Sequence, residues 1–395
     1  MNTPLRIAIV GGGPGGLTLA RLLHVQGLPC TVFERDEHPH ARPQGGTLDL
    51  HEDGGLQALD QAGLAPQFRA IARYEDQGTK LIDREGRVLF EEEDAADGNR
   101  PEADRTALRD LLLGSLPAGC VRWGFELQQA LPRADDRWDL HFAHGSEGPF
   151  DLVVGADGTW SRLRPQLSRY QPQYSGLCFI EFGIDDVDRT HPSLAALVGR
   201  GKLCVEADGK ALIVQRNGHS HLRGYAIFRV PPGWVARRFD LSSPAAVRAG
   251  LVDEFSGFAE PIRDLFRAST GHFAERPIFG LPVGHHWANR RGLTLLGDAA
   301  HVMSPFGGDG VNNAMRDALE LARRLAAHTH WPDAVAAFET DMFGRVVDSA
   351  AGATEAAATL LSHDGQALTL ETYRGHQAMR AAMHAAASTE APSSV

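Results

Sequence analysis

The chain has 395 residues, of which 43% are hydrophobic and 23% are charged, and its formal net charge at pH 7 is −11. This length exceeds the size at which one core keeps growing, so we expect one large domain with an insertion or two closely packed domains. The acidic balance disfavours nucleic acid or an anionic membrane as a partner, because phosphate binding needs clustered Lys and Arg. No uninterrupted apolar run is long enough to span a bilayer.

The N-terminal sequence and the cysteines limit the compartment and the chemistry. The chain starts Met-Asn-Thr-Pro-Leu-Arg and lacks the features of a signal peptide, so we expect a cytoplasmic protein, and we expect a monomer. Cys30, Cys120, Cys178 and Cys204 form no CxxC pair, which argues against a dithiol redox centre, a zinc ribbon or a disulfide scaffold. His219 and His221, and the adjacent His285 and His286, have no acid or thiol companions at zinc-like spacing, so we predict no metal site.

Three apolar runs are each followed by glycine, and the two later ones also end in an aspartate. Residues 5–10 suit a buried parallel strand, and a glycine-rich turn, a helix to about residue 26 and a second strand over 30–33 follow. Further runs end at 151–157 and 293–298. Ligands of open α/β sheets bind beyond the carboxyl ends of the strands, so we expect these strand ends to converge on one ligand.

The middle and the end of the chain have other patterns. Between about residues 170 and 285, short β-rich segments alternate with Asp-Gly and Asn-Gly turns, which is typical of an antiparallel meander. We expect this sheet to lie over the ligand-binding domain. From residue 310 to about 387 the periodicity is helical.

The glycine-rich turn fits the G-x-G-x-x-G pattern at Gly11, Gly13 and Gly16. Glycines there allow a tight turn, close approach to a pyrophosphate and close packing of helix on strand, while the helix N-terminus favours an anion. Glu34 ends the second strand, where a carboxylate can accept both ribose hydroxyls of an adenosine. The alternative is a turn without a ligand, and the motif alone does not decide between NAD and FAD.

The other two strand ends carry a family resemblance. The segment from Gly155 through Asp157 to Arg164 resembles the D-G motif of the para-hydroxybenzoate hydroxylase family of flavoproteins, and residues 297–312 are similar to its G-D motif. The resemblance implies that Asp157 contacts FAD and lies on the path of the nicotinamide nucleotide. It implies further FAD-binding positions at the third strand end, namely Asp298, Pro305, Gly310, Val311 and Asn312.

Each position of the third motif has a physical interpretation. Asp298 can accept hydrogen bonds from ribityl hydroxyls, and Pro305 fixes a turn near the flavin ring. Gly310 to Asn312 begin a helix, whose N–H groups would favour negative charge on the reduced flavin. Asp309 replaces a residue that is usually uncharged in this motif.

Two segments are similar to the tetracycline-inactivating monooxygenases of this family, residues 42–51 and residues 100–109. The positions matching Asp49 and Arg105 contact FAD in those enzymes, and the position matching Arg42 lies where flavin and nicotinamide nucleotide meet. Arg105 has an alternative role, which is to cap or pair at the start of a helix.

Alignment of the β-rich region to those enzymes places their substrate-contacting positions on Glu181, Lys202 and Arg223. The residue types differ, which puts tetracycline itself in doubt. The alternative for each is an ordinary solvated charge on a sheet.

The resemblance implies an α/β fold with a Rossmann-like, GR2-type FAD-binding domain over 1–170 and 286–330. An antiparallel β-sheet substrate domain would cover 171–285, C-terminal helices 331–388 and a disordered tail 389–395. The implied function is hydroxylation of an electron-rich aromatic or polyketide-like molecule by FAD, NADPH or NADH, and O2, through a flavin hydroperoxide. Open alternatives are a flavin dehydrogenase or reductase without oxygen insertion and a non-catalytic flavin-binding protein. A halogenase is disfavoured because no W-x-W-x-I segment occurs.

Overall fold

The computed structural model describes residues 5–42, 45–92, 100–328 and 330–390. The chain divides into two compact units, the first made of residues 1–73, 99–175 and 279–356 and the second of 74–98, 176–278 and 357–395. Residues 389 and 390 of the predicted tail end the last helix, and residues 391–395 lie outside the described residues.

The strands and helices are numbered in chain order. The strands are β1 Ile7–Val10, β2 Cys30–Glu34, β3 Thr47–Asp49, β4 Gly78–Ile82, β5 Val88–Glu92, β6 Glu102–Asp104, β7 Val121–Trp123, β8 Leu127–Pro132, β9 Trp138–Phe142, β10 Gly145–Phe150, β11 Leu152–Gly155, β12 Gln173–Ile184, β13 Gly201–Ala207, β14 Lys210–Asn217, β15 His221–Arg229, β16 Ala274–Gly280 and β17 Leu293–Leu295. The α-helices are α1 Pro14–Val25, α2 Gln57–Gln61, α3 Ala65–Arg69, α4 Arg105–Gly114, α5 Val187–Thr190, α6 Pro192–Val198, α7 Trp234–Arg238, α8 Pro244–Glu254, α9 Glu260–Arg267, α10 Asp298–His301, α11 Gly310–Ala327, α12 Trp331–Thr359 and α13 Gly365–Glu390.

The first unit is built on a parallel five-stranded sheet in the order β17-β11-β1-β2-β7. Every residue of β1 and β11 is buried, which explains why both strands are continuous apolar runs rather than alternating ones. The predicted βαβ start and the strands before the two later motifs are confirmed. A three-stranded sheet, β10-β9-β8, and the pair β3-β6 complete this unit.

The first part of the predicted C-terminal helical segment belongs to the core of this unit. Helix α12 contributes Phe338, Met342 and Val346 to the same buried cluster as the residues of β1 and α1. These residues recur at helical spacing and form an apolar stripe on one face of α12, and this face is buried against the core.

The second unit contains a seven-stranded sheet in the order β16-β12-β15-β14-β13-β4-β5. The meander β13-β14-β15 is antiparallel, as predicted. Residues 74–98, which the sequence placed with the FAD-binding part, supply β4 and β5 to this sheet. The pairing of β4 with β13 sets Leu81 opposite Cys204, a long-range register that local sequence patterns do not encode. Helices α6, α8 and α9 cover the sheet with buried apolar residues.

None of the helices within the described residues is both long enough and apolar enough to cross a membrane.

Candidate cofactor-binding site

The carboxyl ends of three parallel strands lie side by side in the first unit. Ala156 N donates to Val10 O at 2.8 Å, and Leu296 N donates to Gly155 O at 2.9 Å. The three segments that sequence analysis linked to one ligand therefore leave the same edge of one sheet, at the place where open α/β sheets bind ligands.

The first of these segments is a tight glycine turn. Gly11 has a φ of +111°, and a Cβ added there would lie 2.2 Å from Ala156 O. A Cβ on Gly16 would lie 2.1 Å from Gly11 O, whereas a Cβ on Gly13 would meet no atom within 4 Å. Gly11 and Gly16 thus serve the packing of strand on helix, while Gly13 faces open space.

Helix α1 starts at this turn with the features of an anion-binding N-terminus. Its N-cap position, Gly13, makes no side-chain capping bond, and its first turn contains no acidic residue. The N–H groups and the positive end of the helix dipole therefore point at the space beside Gly13.

Glu34 is buried at the end of β2 and holds the glycine turn. Its Oε2 accepts a hydrogen bond from Gly12 N at 2.6 Å, and its Oε1 accepts one from Asp36 N at 3.0 Å. A carboxylate has about four lone-pair sites, so each oxygen keeps one acceptor site beyond these two bonds. The predicted acceptance of ribose hydroxyls would add to this turn-fixing role.

A buried arginine behind the turn escaped sequence analysis. Arg109 is 2% exposed, and it donates to Gly12 O at 3.3 Å and pairs with Asp36 at 3.3 Å. Arg42, predicted at the nicotinamide path, also pairs with Asp36, at 3.0 Å, and is half exposed. The available signal was the i, i+4 spacing of Arg105 and Arg109, which places both on one face of α4.

Asp157, from the second motif, has one oxygen that the protein does not satisfy. Its Oδ2 accepts a hydrogen bond from Arg162 N at 2.8 Å, but its buried Oδ1 has no hydrogen-bond partner among the described residues. Burial raises the pKa of this carboxyl above its usual range. A buried acceptor of this kind is the site where a ligand donor is most favourable.

Arg164 joins the second motif to the third. Its side chain is 1% exposed and donates to Thr159 O at 2.5 Å and to Ala299 O at 3.0 Å. Arg164 ends the D-G motif in the sequence, which assigns it no role. The structure shows that it fixes the spacing between the two loops.

Asp298 is the first residue of α10, directly after the third motif's glycine. The residue is accessible to solvent, yet burial by surrounding protein raises the pKa of its carboxyl, and the positive charges of His301, Arg105 and Arg164 lower it in part. Arg105 is the first residue of α4.

A fully buried carboxylate, Asp317, supports the turn that carries Asp298. It accepts hydrogen bonds from Gly297 N at 2.9 Å, His301 Nε2 at 2.6 Å and Arg345 Nη2 at 2.8 Å. No sequence pattern indicates this network, because Arg345 lies on α12, far along the chain from the motif.

Helix α11 begins just after the turn that contains Pro305, which is exposed. Gly310 and Val311 form its start, with no side-chain capping bond and no acid in the first turn. The side chain of Asn312 is buried and bonds the segment after β3, accepting from His51 N at 2.8 Å and donating to Asp49 O at 2.9 Å. Only the backbone of this helix start is available for the predicted electrostatic role.

Asp49 lies in a cluster of charged side chains at the same helix start. It pairs with Arg100 at 2.9 Å and with His51 at 3.1 Å, and the other ring nitrogen of His51 lies 3.7 Å from Asp309. The unusual Asp309 thus has His51 as its neighbour in this cluster.

The predicted substrate residues all lie in the second unit, and the structure brings two of them together. Glu181 on β12 is 5% exposed and pairs with Arg223 on β15 and, at 2.8 Å, with Arg276. Burial opposes ionisation of Glu181, but the two arginines outweigh it and lower its pKa. Glu181 is therefore not a solvated charge. Lys202 lies apart from this pair, with its Nζ 5.9 Å from the centre of the Tyr373 ring.

Comparison with known proteins identifies the class. The model of the family described as "FAD binding domain" matches residues 5–198 and 285–334. A monooxygenase, penA, of Penicillium thymicola is 34% identical over 372 residues, which cover 82% of this chain and 85% of that protein. The chain belongs to this family of flavoproteins. It is an FAD-dependent monooxygenase, and NAD(P)H is the typical reductant of the family.

Two solved structures share the fold. The HpxO protein of Klebsiella pneumoniae, in complex with FAD and uric acid, superposes with a TM-score of 0.78 at 21% identity, covering 95% of this chain and 92% of that one. The tetracycline destructase Tet(51) gives a TM-score of 0.68 at 22% identity, covering 93% and 94%.

Proposed function

We propose that this monooxygenase hydroxylates an electron-rich aromatic or polyketide-like small molecule with NADPH or NADH and O2, acting as a cytoplasmic monomer. The observation that carries the proposal is that Asp157 and Asp298 follow neighbouring ends of parallel strands, in a unit where helices α1 and α11 have N-termini without a side-chain cap. The substrate class is supported by relatives with the same fold, one in complex with uric acid and one named for tetracycline.

The residues that we propose to hold FAD fit its chemistry. The α1 N-terminus and the open face of Gly13 suit a pyrophosphate, Glu34 and Asp298 offer acceptors for sugar and ribityl hydroxyls, and the orphaned Oδ1 of Asp157 requires a donor. The proposed set is Gly11, Gly13, Gly16, Glu34, Arg42, Asp49, Arg105, Asp157, Asp298, Pro305, Gly310, Val311 and Asn312.

The protein's own contribution to the reaction is binding, orientation and electrostatics. FAD, when bound, supplies electron transfer from NAD(P)H and the activation of O2. The start of α11 presents backbone N–H groups and a positive dipole end, which favour negative charge nearby. Arg164 and Asp317 hold the two loops that carry Asp157 and Asp298, so that these acceptors keep their positions.

We propose Glu181 and Arg223 as polar groups of the substrate site, with Lys202 as a separate cation. The arginines that flank Glu181 fix its carboxylate in one place, and a fixed, buried charge selects for a substrate with complementary polarity. Because the residue types differ from those of the tetracycline enzymes, we expect a different substrate.

The cofactor assignment is tested by two glycine substitutions that the protein fold tolerates equally. An added Cβ meets no protein atom within 4 Å at Gly13 or at Gly114, which ends α4. Gly13→Ala should keep the melting temperature of the apoprotein, because the added Cβ meets no protein atom. It should weaken FAD binding about tenfold or more, because the Cβ lies in the space proposed for the pyrophosphate. A tenfold loss of affinity corresponds to about 1.4 kcal/mol of binding free energy. Gly114→Ala should change neither. Equal FAD affinity in both variants would contradict the assignment.

The reaction is tested by following NADPH, NADH and O2 consumption with a panel of phenols, nitrogen heterocycles and tetracycline-like polyketides. We expect one class to stimulate turnover and to give a product heavier by one oxygen atom. Oxidation of a substrate without oxygen insertion would move the protein to the dehydrogenase class, and the absence of any stimulated turnover would favour a flavin-binding protein without this activity.

A further inference from the structure

Two cysteines that are 90 residues apart in the sequence meet in the five-stranded sheet. Cys30 is the first residue of β2, and Cys120 directly precedes β7. These strands are parallel neighbours with Val32 opposite Val121, and Val32 N donates to Cys120 O at 2.9 Å. Neighbouring strands lie about 4.8 Å apart, and disulfides join Cα atoms about 4.4–6.8 Å apart.

The Cys120 thiol reaches the backbone of Cys30 in this arrangement. Cys120 Sγ lies 3.7 Å from Cys30 O, Cys30 Sγ lies 4.0 Å from Ala20 O, and each thiol shifts the pKa of the other. Both residues are partly exposed, whereas Cys178 and Cys204 are buried in the second unit. The pair therefore combines proximity with access for a small oxidant. The lack of a CxxC motif did not exclude such a pair, because strand pairing and not sequence spacing creates it.

We propose that Cys30 and Cys120 form a peroxide-reactive dithiol that hydrogen peroxide converts to a disulfide. Hydrogen peroxide is the product that a flavin monooxygenase releases when oxygen reduction proceeds without substrate hydroxylation. This source of the oxidant rests on the proposed function, but the dithiol chemistry does not.

The two thiols have different roles in the reaction. The neighbouring Cys30 thiol lowers the pKa of Cys120, so we assign Cys120 as the attacking thiolate, whereas the neighbouring Cys120 thiol and burial raise the pKa of Cys30. Cys120 attacks one peroxide oxygen, the O–O bond breaks, and hydroxide leaves to give a sulfenic acid. Cys30 then attacks that sulfur and displaces hydroxide, which takes up the released proton. In total, two thiols and one peroxide give one disulfide and two waters.

The oxidation site adjoins the proposed cofactor site through one strand. Strand β2 begins at Cys30 and ends at Glu34, whose carboxylate holds the glycine turn. A bond between Cys30 and Cys120 would join β2 to β7 covalently and restrain the strand that carries Glu34.

The experiment uses the FAD-loaded full chain and a limited amount of hydrogen peroxide. Peptide mapping without reductant should give a linked pair of peptides containing Cys30 and Cys120, lighter by two hydrogens than the separate thiols, and a reductant should restore both. In Cys30→Ser, Cys120 should accumulate as sulfenic or sulfinic acid. In Cys120→Ser, oxidation of Cys30 should slow at least tenfold. The matched control Cys178→Ser should form the link at the wild-type rate.

The source of the oxidant is tested in a second arm, with NADPH and O2 but no substrate, in the presence or absence of catalase. A link that forms with added peroxide supports the dithiol whether or not the protein turns over NADPH. If added peroxide oxidises Cys178 or Cys204 first, or modifies Cys30 and Cys120 without joining them, the proposal is overturned even for an active monooxygenase.

Discussion

The substitution Asp317→Asn tests how strongly the buried network supports the third motif. Asp317 is 0% exposed and accepts hydrogen bonds from Gly297 N, His301 and Arg345. Removing one partner of a buried ion pair leaves the other charge uncompensated, at a cost of about 3–5 kcal/mol. Asparagine keeps the shape of the side chain but removes its negative charge. Its amide NH2 group would also face one of the hydrogen-bond donors that Asp317 accepts from. We therefore expect the free energy of unfolding to fall by about 3–5 kcal/mol.

The assay is urea denaturation of the variant and wild type at about pH 7, with Asp53→Asn as the control. Asp53 pairs with Arg316 at 3.1 Å, but its side chain is 80% exposed, so its loss should cost less than about 1 kcal/mol. Equal losses in both variants, or a loss below about 1 kcal/mol for Asp317→Asn, would refute the reasoning.

The stability that Asp317 contributes should depend on pH. Burial opposes ionisation of Asp317, but His301 and Arg345 outweigh it and lower its pKa below the ordinary value of 3.8. A carboxylate with a lowered pKa stabilises the folded state above its unfolded pKa and loses this contribution as the pH falls through the folded pKa. The difference in the free energy of unfolding between wild type and Asp317→Asn should have its full size at about pH 6 and decrease below about pH 4.

Three further substitutions have defined outcomes. Gly16→Ala forces a Cβ to within 2.1 Å of Gly11 O, so the purified protein should lose its bound FAD, measured by flavin absorbance. Glu34→Gln weakens the charge-assisted bond to Gly12 N, and the dissociation constant of FAD should rise about 10- to 100-fold by fluorescence titration. Burial raises the pKa of Glu206 above 4.5, so its charged form destabilises the fold as the pH rises. Glu206→Gln should therefore gain in unfolding free energy relative to wild type between about pH 4 and pH 8, and no relative gain would contradict this.

Much of the cofactor-binding fold was determined by the sequence alone. The glycine turn, Glu34 and the apolar strands before Asp157 and Asp298 depend on local constraints, namely backbone conformation at glycine and complete burial of parallel strands. Such constraints act over a few residues, so they leave patterns that a reader of the sequence can find. The antiparallel meander of the second unit was predictable for the same reason, through its turn residues.

The tertiary structure alone decided which distant side chains meet. Arg345 reaches Asp317 from another helix, and Cys30 meets Cys120 across two strands. Asn312 illustrates the limit within a recognised motif, because its backbone starts α11 as predicted while its side chain is used to hold His51 and Asp49. These contacts depend on strand order, register and helix packing, which are set by the burial of the whole core. No local pattern in the chain records them, and only the folded structure does.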